Sequence, residues 1–172
     1  VDHSGAVWIG TNAGLNVMDP GTGIVRRLPD RNPATSGLNQ NIMCILEDRR
    51  GILWLSTWGG GLRTYDPIRD AYRVFLHDPK DPASIRDNVV GNMAFDNQGV
   101  LWFGTTSGLH TIRPDDGKIV HFNHDPNDPF SLSSDSIWAV YCDTTGIIWI
   151  GTLFGGGNKF VPSKSIFEYH SL

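Results

Sequence analysis

Histidines are the first residues to consider for chemistry, because clusters of them could bind a metal. His77 and His124 share an H-D-P pattern, whereas His110 and His121 stand alone. A zinc site needs several ligands that converge on the ion, and no short-spaced Cys/His pair supplies them. We therefore expect turn and surface positions for these histidines, with no metal and no cofactor bound.

Carboxylates could support general acid–base catalysis or calcium binding. The chain has 16 Asp but only Glu47 and Glu168 as glutamates, so few acid–base candidates exist and no nucleophile–base pair can be assigned. An aspartate begins each copy of a recurring D-x-x-G motif. These aspartates are Asp2, Asp48, Asp96 and Asp143. One carboxylate per motif does not supply the several oxygen ligands that calcium needs, so we expect turn formation.

Aromatic residues offer a different chemistry, the binding of a ligand without catalysis. Trp58 and Phe154 occur in glycine-rich turns, and Trp138 lies at the start of a strand. Exposed rings can stack on the apolar faces of sugars, while Arg63 and Asn88 could hydrogen-bond the hydroxyl groups. Alternatively, the rings seal gaps between neighbouring structural units. The residues alone leave both interpretations open.

Four other tryptophans recur with a nearly constant period. They are Trp8, Trp54, Trp102 and Trp149, with spacings of 46, 48 and 47 residues. Such a period indicates a repeat architecture, in which each unit buries its apolar faces against the next. We expect these four tryptophans to pack in the structural core. The two cysteines, Cys44 and Cys142, are not at equivalent positions and are expected to be buried, unpaired thiols.

One repeat shows how the elements are arranged. Its predicted strands are residues 88–95, 100–105, 108–112 and 118–122, joined by turns rich in Asp, Gly and Pro. No segment has a helical period of apolar residues. Four antiparallel strands in about 47 residues correspond to one blade of a β-propeller. The predicted fold class is therefore all-β.

The repeats divide the chain into blades. The predicted boundaries are 1–40 with the first strand missing, 41–87, 88–134 and 135–172. About 3.75 blades are too few to close a ring, so the rest of a parent propeller or a second copy of the chain is an expected partner. Three connections are each twelve residues long and contain Asp and Pro, which favours preformed proline turns over binding loops. They are residues 29–40, 76–87 and 123–134.

Charge and hydropathy exclude some partners. The net charge of -4 gives no overall positive field for nucleic acid, and no apolar run is long enough to span a bilayer. We therefore expect neither nucleic acid binding nor membrane contact by this segment.

The repeat resembles the two-component regulator propeller repeat. The resemblance rests on the D-x-x-G turn, the tryptophan strand, a G-L pair and a D-P turn, in four copies. Three positions depart from this pattern: Gly157 stands where the other copies have leucine, and Arg113 and Val161 replace the aspartate of D-P. The resemblance implies seven-bladed propellers in the periplasmic or extracytoplasmic sensor region of membrane-anchored histidine kinases. Some of these hybrid kinases respond to polysaccharide breakdown products.

Three functions remain open. The resemblance favours a non-catalytic sensor propeller that binds a small ligand such as an oligosaccharide. A lyase similar to streptogramin lyase is an alternative, because those enzymes have similar glycine–tryptophan repeats. A scaffold for protein partners is the third, and the fold alone cannot choose among them.

Overall fold

The computed structural model describes residues 1–29, 41–162 and 164–170, and all regular elements in these ranges are β-strands. The strands are β1 (Val7–Thr11), β2 (Gly14–Met18), β3 (Val25–Arg27), β4 (Ile42–Glu47), β5 (Leu53–Thr57), β6 (Leu62–Asp66), β7 (Ala71–Phe75), β8 (Val90–Phe95), β9 (Leu101–Thr105), β10 (Gly108–Ile112), β11 (Ile119–Phe122), β12 (Ile137–Cys142), β13 (Ile148–Thr152), β14 (Gly157–Val161) and β15 (Ile166–His170). No helix that could cross a membrane occurs in the described ranges.

The strands form four antiparallel sheets that follow one another along the chain. β1 to β3 make a three-stranded sheet, and β4–β7, β8–β11 and β12–β15 make four-stranded sheets. We call these sheets blades 1 to 4. The all-β prediction is confirmed, and the architecture is that of an incomplete β-propeller.

The order of the strands gives each blade an inner edge and two ends. The first strands β4, β8 and β12 lie next to one another, so they form the inner edge. Because the strands alternate in direction, the turn after the second strand and the connection between blades lie at one end, the glycine-turn end. The D-x-x-G turns and the turns after the third strands lie at the other, the aspartate-turn end.

Each D-x-x-G turn is held by its aspartate. In blade 3, Asp96 Oδ1 accepts hydrogen bonds of 2.9 Å from the backbone N–H groups of Gln98 and Val100, and Gly99 has a φ of 82°. Asp96 Oδ2 accepts a third bond from the indole Nε1 of Trp102 at 2.9 Å. The same indole bond joins Asp2 to Trp8, Asp48 to Trp54 and Asp143 to Trp149, at 2.7, 3.2 and 2.9 Å. The aspartate of each turn thus accepts the indole N–H of the tryptophan, so the ring can pack without leaving a polar group unpaired.

Two connections between blades, residues 76–87 and 123–134, have the same hydrogen bonds. In each, an aspartate N–H donates to a serine Oγ 2.9 Å away, and that Oγ lies 3.0 Å from the carbonyl oxygen of the same aspartate. The pairs are Asp78–Ser84 and Asp125–Ser131. The shared D-P pattern therefore corresponds to one repeated conformation. Apart from its first residue, the connection at 29–40 lies outside the described residues.

In the described part of the chain, buried apolar side chains form three clusters, and each cluster lies between two consecutive blades. Leu15 and Leu55 contribute to the cluster between blades 1 and 2. Leu62 and Phe103 belong to the cluster between blades 2 and 3. Trp102 belongs to the cluster between blades 3 and 4. Each blade therefore shelters one face of the next, as a propeller requires.

The repeating tryptophans show the effect of this arrangement. Trp54 and Trp102 are 2% and 6% exposed, and Trp8 is half-buried with its ring 5.8 Å from that of Tyr65 in blade 2. Trp149 departs from the prediction of a core position, since it is 40% exposed. The reason is that each of these rings faces the following blade, and no described strand covers that face of blade 4.

Candidate functional site

The inner strands of blades 2, 3 and 4 each contain a β-bulge near the glycine-turn end. Met43, Gly91 and Trp138 hold equivalent positions in these bulges. A Cβ atom at Gly91 would lie only 3.0 Å from the Trp138 carbonyl oxygen, so blades 3 and 4 approach closely here. Bulges often redirect a side chain, and Met43 and Trp138 are both exposed on the inner edge.

Trp58 and Trp138 meet at the glycine-turn end. Their ring centroids are 5.6 Å apart and their planes are inclined by 74°, an edge-to-face contact. Trp58 belongs to blade 2 and Trp138 to blade 4, so the contact joins two blades that are not neighbours. The two side chains remain 44% and 37% exposed. The pair therefore presents aromatic surface to solvent while it also makes a packing contact.

The backbone around Trp58 is fixed by hydrogen bonds to two inner strands. The Trp58 N–H donates to the Asn41 carbonyl at 2.9 Å, and Trp58 forms an isolated antiparallel bridge with Val89. The following turn is held by Asn88, whose carbonyl accepts from Gly59 and Gly61. Trp58 thus extends from a backbone segment that is fixed by hydrogen bonds.

Phe154 is separate from this pair. It is 90% exposed, and Leu153, not Phe154, takes the position equivalent to Trp58: Leu153 N–H donates to the Ser136 carbonyl at 2.9 Å. The interpretation that Phe154 seals a gap between blades does not agree with this exposure. Its role as a ligand contact remains a prediction. Leu153 is also exposed. It could have been identified as a candidate from the sequence, because it follows Thr152 as Trp58 follows Thr57.

The two polar candidates, Arg63 and Asn88, make hydrogen bonds within the protein. Arg63 is 3% exposed and its Nε donates to the Gly60 carbonyl at 3.3 Å, so the expectation of an accessible ligand contact is corrected: the side chain is buried beneath the glycine turn. The side-chain oxygen of Asn88 accepts from the His77 N–H at 2.8 Å. Its carbonyl is also occupied, as described above. These bonds give Asn88 a structural role, and its contact with a ligand remains a prediction.

The sequence analysis did not recognise that Arg63 belongs to a set of buried polar residues at one repeat position. Arg63, His110 and Asn158 occupy the same position in the third strands of blades 2, 3 and 4. His110 Nε2 accepts a bond of 3.1 Å from the Arg86 N–H, and Asn158 Oδ1 accepts one of 3.0 Å from Ser133. His110 and Asn158 thus each anchor the connection that enters their blade, whereas Arg63 donates to the glycine turn of its own blade. The recurrence of a polar residue at one repeat position was the available signal.

His110 is a buried, neutral base. Its ring stacks on Phe103 at 5.1 Å and meets His121 edge-on at 5.0 Å. Burial first, and then the neighbouring His121, lower the pKa of His110 to about 3. His110 therefore acts as a hydrogen-bond acceptor at neutral pH, and its full burial removes it from contact with a ligand.

The remaining titratable candidates do not assemble into a centre. His77 and His124 place Nδ1 beside the Ile85 and Leu132 carbonyl oxygens of their own connections. In the described ranges, no group of three or more His, Cys, Asp or Glu side chains is placed to hold a metal ion. Cys44 and Cys142 are unpaired and half-buried.

Sequential four-stranded blades with shared apolar interfaces define a β-propeller repeat protein. Residues 36–59, 84–107 and 131–154 each match the family model of the two component regulator propeller. The matched segments together cover 72 of the 172 residues, and they agree with the sequence resemblance. A search of curated proteins gave no significant match.

Solved structures similar to this chain include sensor and enzyme propellers. The extracellular domain assigned to the hybrid two-component system BT3049 of B. thetaiotaomicron has a TM-score of 0.81 at 22% identity, over 99% of this chain and 24% of that one. The extracellular domain assigned to BT4673 of the same organism has a TM-score of 0.73 at 27% identity, over 99% and 21%. A virginiamycin B lyase from Staphylococcus aureus has a TM-score of 0.71 at 15% identity, over 100% and 54%.

The matches cover different fractions of the similar structures. The chain spans 24% and 21% of the two sensor domains, so it corresponds to a small part of each. Both are extracellular domains that have been assigned to hybrid two-component systems, although one structure of BT4673 is assigned to a one-component system. Likeness to the lyase, at 15% identity, establishes the common fold only.

Proposed function

We propose that the chain is part of an extracytoplasmic sensor propeller of a two-component receptor and binds a small ligand, an oligosaccharide, without catalysing a reaction. The ligand would lie against Trp58 and Trp138 at the inner edge of the glycine-turn end. The family match and the extracellular domains of similar fold support the sensor class. Their location supports an extracytoplasmic position for this chain.

The exposed Trp58–Trp138 pair is the observation that carries the ligand proposal. Two rings inclined by 74° form a corner, which could hold the apolar face of a sugar ring against one indole and its edge against the other. Both rings are supplied by ordered backbone, which lowers the entropy lost on binding. A receptor of this kind signals only if the ligand binds its signalling states with different affinities.

Catalysis is the alternative function, favoured by the fold shared with a lyase. A propeller lyase similar to streptogramin lyase would need a histidine and a metal on the central face. His110 is buried, and His77 and His124 contact carbonyl groups of their connections. These positions favour binding over catalysis. A protein-interaction scaffold remains the third possibility, and the open face of blade 4 is the surface that it would use.

The open face of blade 4 supports the proposal that the remainder of a parent propeller, or a second copy of this chain, packs there. Tyr141 and Trp149 are 61% and 40% exposed on this face, whereas the equivalent face of blade 3 is covered by blade 4. Burial of two large aromatic side chains is a strong driving force for association. Analytical ultracentrifugation should show self-association of the isolated chain, and Tyr141→Lys should weaken it. A compact monomer at all concentrations would contradict this part of the proposal.

Calorimetric titration with a panel of oligosaccharides tests the ligand proposal. For an oligosaccharide that binds, Trp58→Ala and Trp138→Ala should each weaken affinity by about tenfold or more, because each removes a stacking surface. Phe154→Ala tests the separate prediction for that residue. Phe130→Ala is the matched control, since Phe130 is also an exposed aromatic residue but belongs to the connection between blades 3 and 4.

Circular dichroism should show that the substituted proteins retain the β-sheet spectrum. If Trp58→Ala and Trp138→Ala both leave the affinity unchanged, the site assignment is wrong. If product accumulates from a bound cyclic peptide or glycoside, the chain is an enzyme and the non-catalytic proposal fails.

A further inference from the structure

We infer that a groove between blades 3 and 4, at the aspartate-turn end, binds a small anionic ligand with a flat apolar body. The groove has a volume of about 810 Å³, within the ordinary range of small-molecule sites. Its lining includes Asp96, Trp102, Arg113, Lys118, Phe122 and Phe160. We call it the blade 3/4 groove. It lies at the opposite end of the blades from Trp58 and Trp138, and it does not depend on the oligosaccharide proposal.

The wall of the groove is aromatic. Trp102 and Phe122 are stacked with centroids 5.6 Å apart and planes inclined by 13°, and Phe160 lies 5.1 Å from Trp102. Val120, beside them, is exposed. A flat ring that entered the groove would therefore meet the exposed Val120 and the half-buried Phe122 and Phe160, with the buried Trp102 packed against these two rings.

The rim of the groove carries two cations. Arg113 and Lys118 are both exposed, and they are neighbours because the Arg113 N–H donates to the Lys118 carbonyl at 3.3 Å. Within the described ranges neither side chain forms a hydrogen bond or an ion pair, although the protein carries a net charge of -4. Two adjacent unpaired cations above an aromatic wall are complementary to an anion attached to a ring.

The equivalent groove between blades 2 and 3 has a different chemistry and about 410 Å³ of space. Asp66 takes the position of Arg113 there and pairs with Arg69 at 2.7 Å. Arg50 reaches across that groove and donates to the Pro114 carbonyl at 3.0 Å, and it also pairs with Asp115 at 3.5 Å. The Arg50 contacts therefore bridge the groove between blades 2 and 3.

Among the residues that the structure describes, no such bridge crosses the blade 3/4 groove. Gln98 replaces Arg50, and Arg113 and Lys118 replace Asp66 and Ala71. The departure from the D-P motif at Arg113 therefore changes the charge of a cavity as well as a turn.

The acidic groups near the groove are already engaged. Asp96 lines the groove, but its two carboxylate oxygens accept the turn N–H groups and the Trp102 indole. Asp116 Oδ1 accepts the Lys118 N–H at 2.8 Å. These bonds fix both carboxylates within their turns, so Arg113 and Lys118 supply the charge that faces a ligand at the rim.

Two fluorescent probes test the contribution of the rim cations to binding separately from that of the apolar wall. Anilinonaphthalene sulfonate is an anionic probe, and phenylnaphthylamine is a neutral probe of similar shape. Arg113→Asp should reduce the affinity for the anionic probe by about tenfold and leave the neutral probe unaffected. This variant restores the aspartate of blades 1 and 2, where Asp66 Oδ1 accepts two turn N–H groups at 2.9 and 3.0 Å, so we expect it to fold.

Two further measurements control for the change in net charge and for the place where the probe binds. The double variant Arg113→Ala/Lys118→Ala should lose the anionic probe, whereas Arg26→Ala/Lys80→Ala, with the same change of charge at exposed positions elsewhere, should retain it. In a nitrogen–proton NMR spectrum, the anionic probe should shift the Trp102 indole signal and not that of Trp54.

Two results would overturn the inference. One is equal affinity of wild type and Arg113→Asp for the anionic probe. The other is a shift confined to the Trp149 indole, which would place the probe on the open face of blade 4.

Discussion

Blades 3 and 4 have the same local hydrogen bonds but different surroundings. In both, the aspartate of the D-x-x-G turn accepts the tryptophan indole at 2.9 Å. Yet Trp102 is 6% exposed and Trp149 is 40% exposed, because blade 4 covers one face of blade 3. The turn geometry is thus encoded within a repeat, whereas burial depends on the next repeat. Substitutions at equivalent positions of the two blades can separate these contributions.

The largest difference is expected for the tryptophans themselves. Trp102→Ala should lower the free energy of unfolding by about 3–5 kcal/mol, because it leaves a cavity in the cluster between blades 3 and 4. Trp149→Ala should cost less than half as much, since its ring is partly in solvent already. Urea unfolding followed by circular dichroism measures both. Equal losses would mean that another surface covers Trp149 in solution.

The turn aspartates should show a smaller difference in the same direction. Asp96→Ala removes the acceptor of the Trp102 indole and of two backbone N–H groups, which should cost about 1–3 kcal/mol. Asp143→Ala should have a weaker effect, because water can replace the lost acceptor at the exposed Trp149. Urea midpoints of the two variants test this order. A larger loss for Asp143→Ala would refute the importance of burial by the next blade.

The lowered pKa of Asp143 predicts that the stability of the protein depends on pH. Hydrogen bonds from Thr145 and Trp149 lower the pKa of Asp143 to about 2, below its ordinary value of 3.8. Because the folded-state pKa is depressed, the stabilising contribution is present above the ordinary value and is lost as the pH falls towards 2. Asp143→Ala should therefore remove part of the acid sensitivity below pH 3.8. The pH dependence of the urea midpoint, compared with that of Asp143→Ala, provides the measurement.

A second dependence on pH concerns the buried acceptors His110 in blade 3 and Asn158 in blade 4. The pKa of His110 is lowered from 6.5 to about 3, so the unfolded chain binds an extra proton between these values. Stability should be fully present above pH 6.5 and fall as the pH drops through this window, by at most about 1.4 kcal/mol per pH unit. His110→Asn, which installs the blade 4 residue, should reduce that slope. Part of the slope should remain, because burial also lowers the pKa of His121. Identical slopes for wild type and variant would contradict the prediction.

The fold was accessible from the sequence because its signals are local. The strands predicted at 100–105 and 108–112 agree with β9 and β10 to within one residue, since each is bounded by glycine turns. The indole bond could also have been found, because Asp and Trp are separated by six residues in every copy. These features lie within a single repeat.

The candidate site was less accessible because it depends on contacts between repeats. Trp58 and Trp138 were individually identifiable as aromatic residues outside the periodic core, but their contact depends on the angle between blades 2 and 4. The burial of Arg63 has the same origin, since it lies beneath a turn. The significance of Arg113 emerges from its alignment with Asp66 across two grooves. Residue types suggest candidates, and the relative placement of the blades decides among them.

The pairwise sharing of the three apolar clusters has an evolutionary consequence. Because each cluster draws on two consecutive blades, duplication of a unit of about 47 residues creates a new interface of the same kind and leaves the others intact. Genes for such proteins can therefore lengthen or shorten by whole units at little cost to the interior. The Trp58–Trp138 contact is sensitive to such a change, because inserting a unit between its two blades would part the rings.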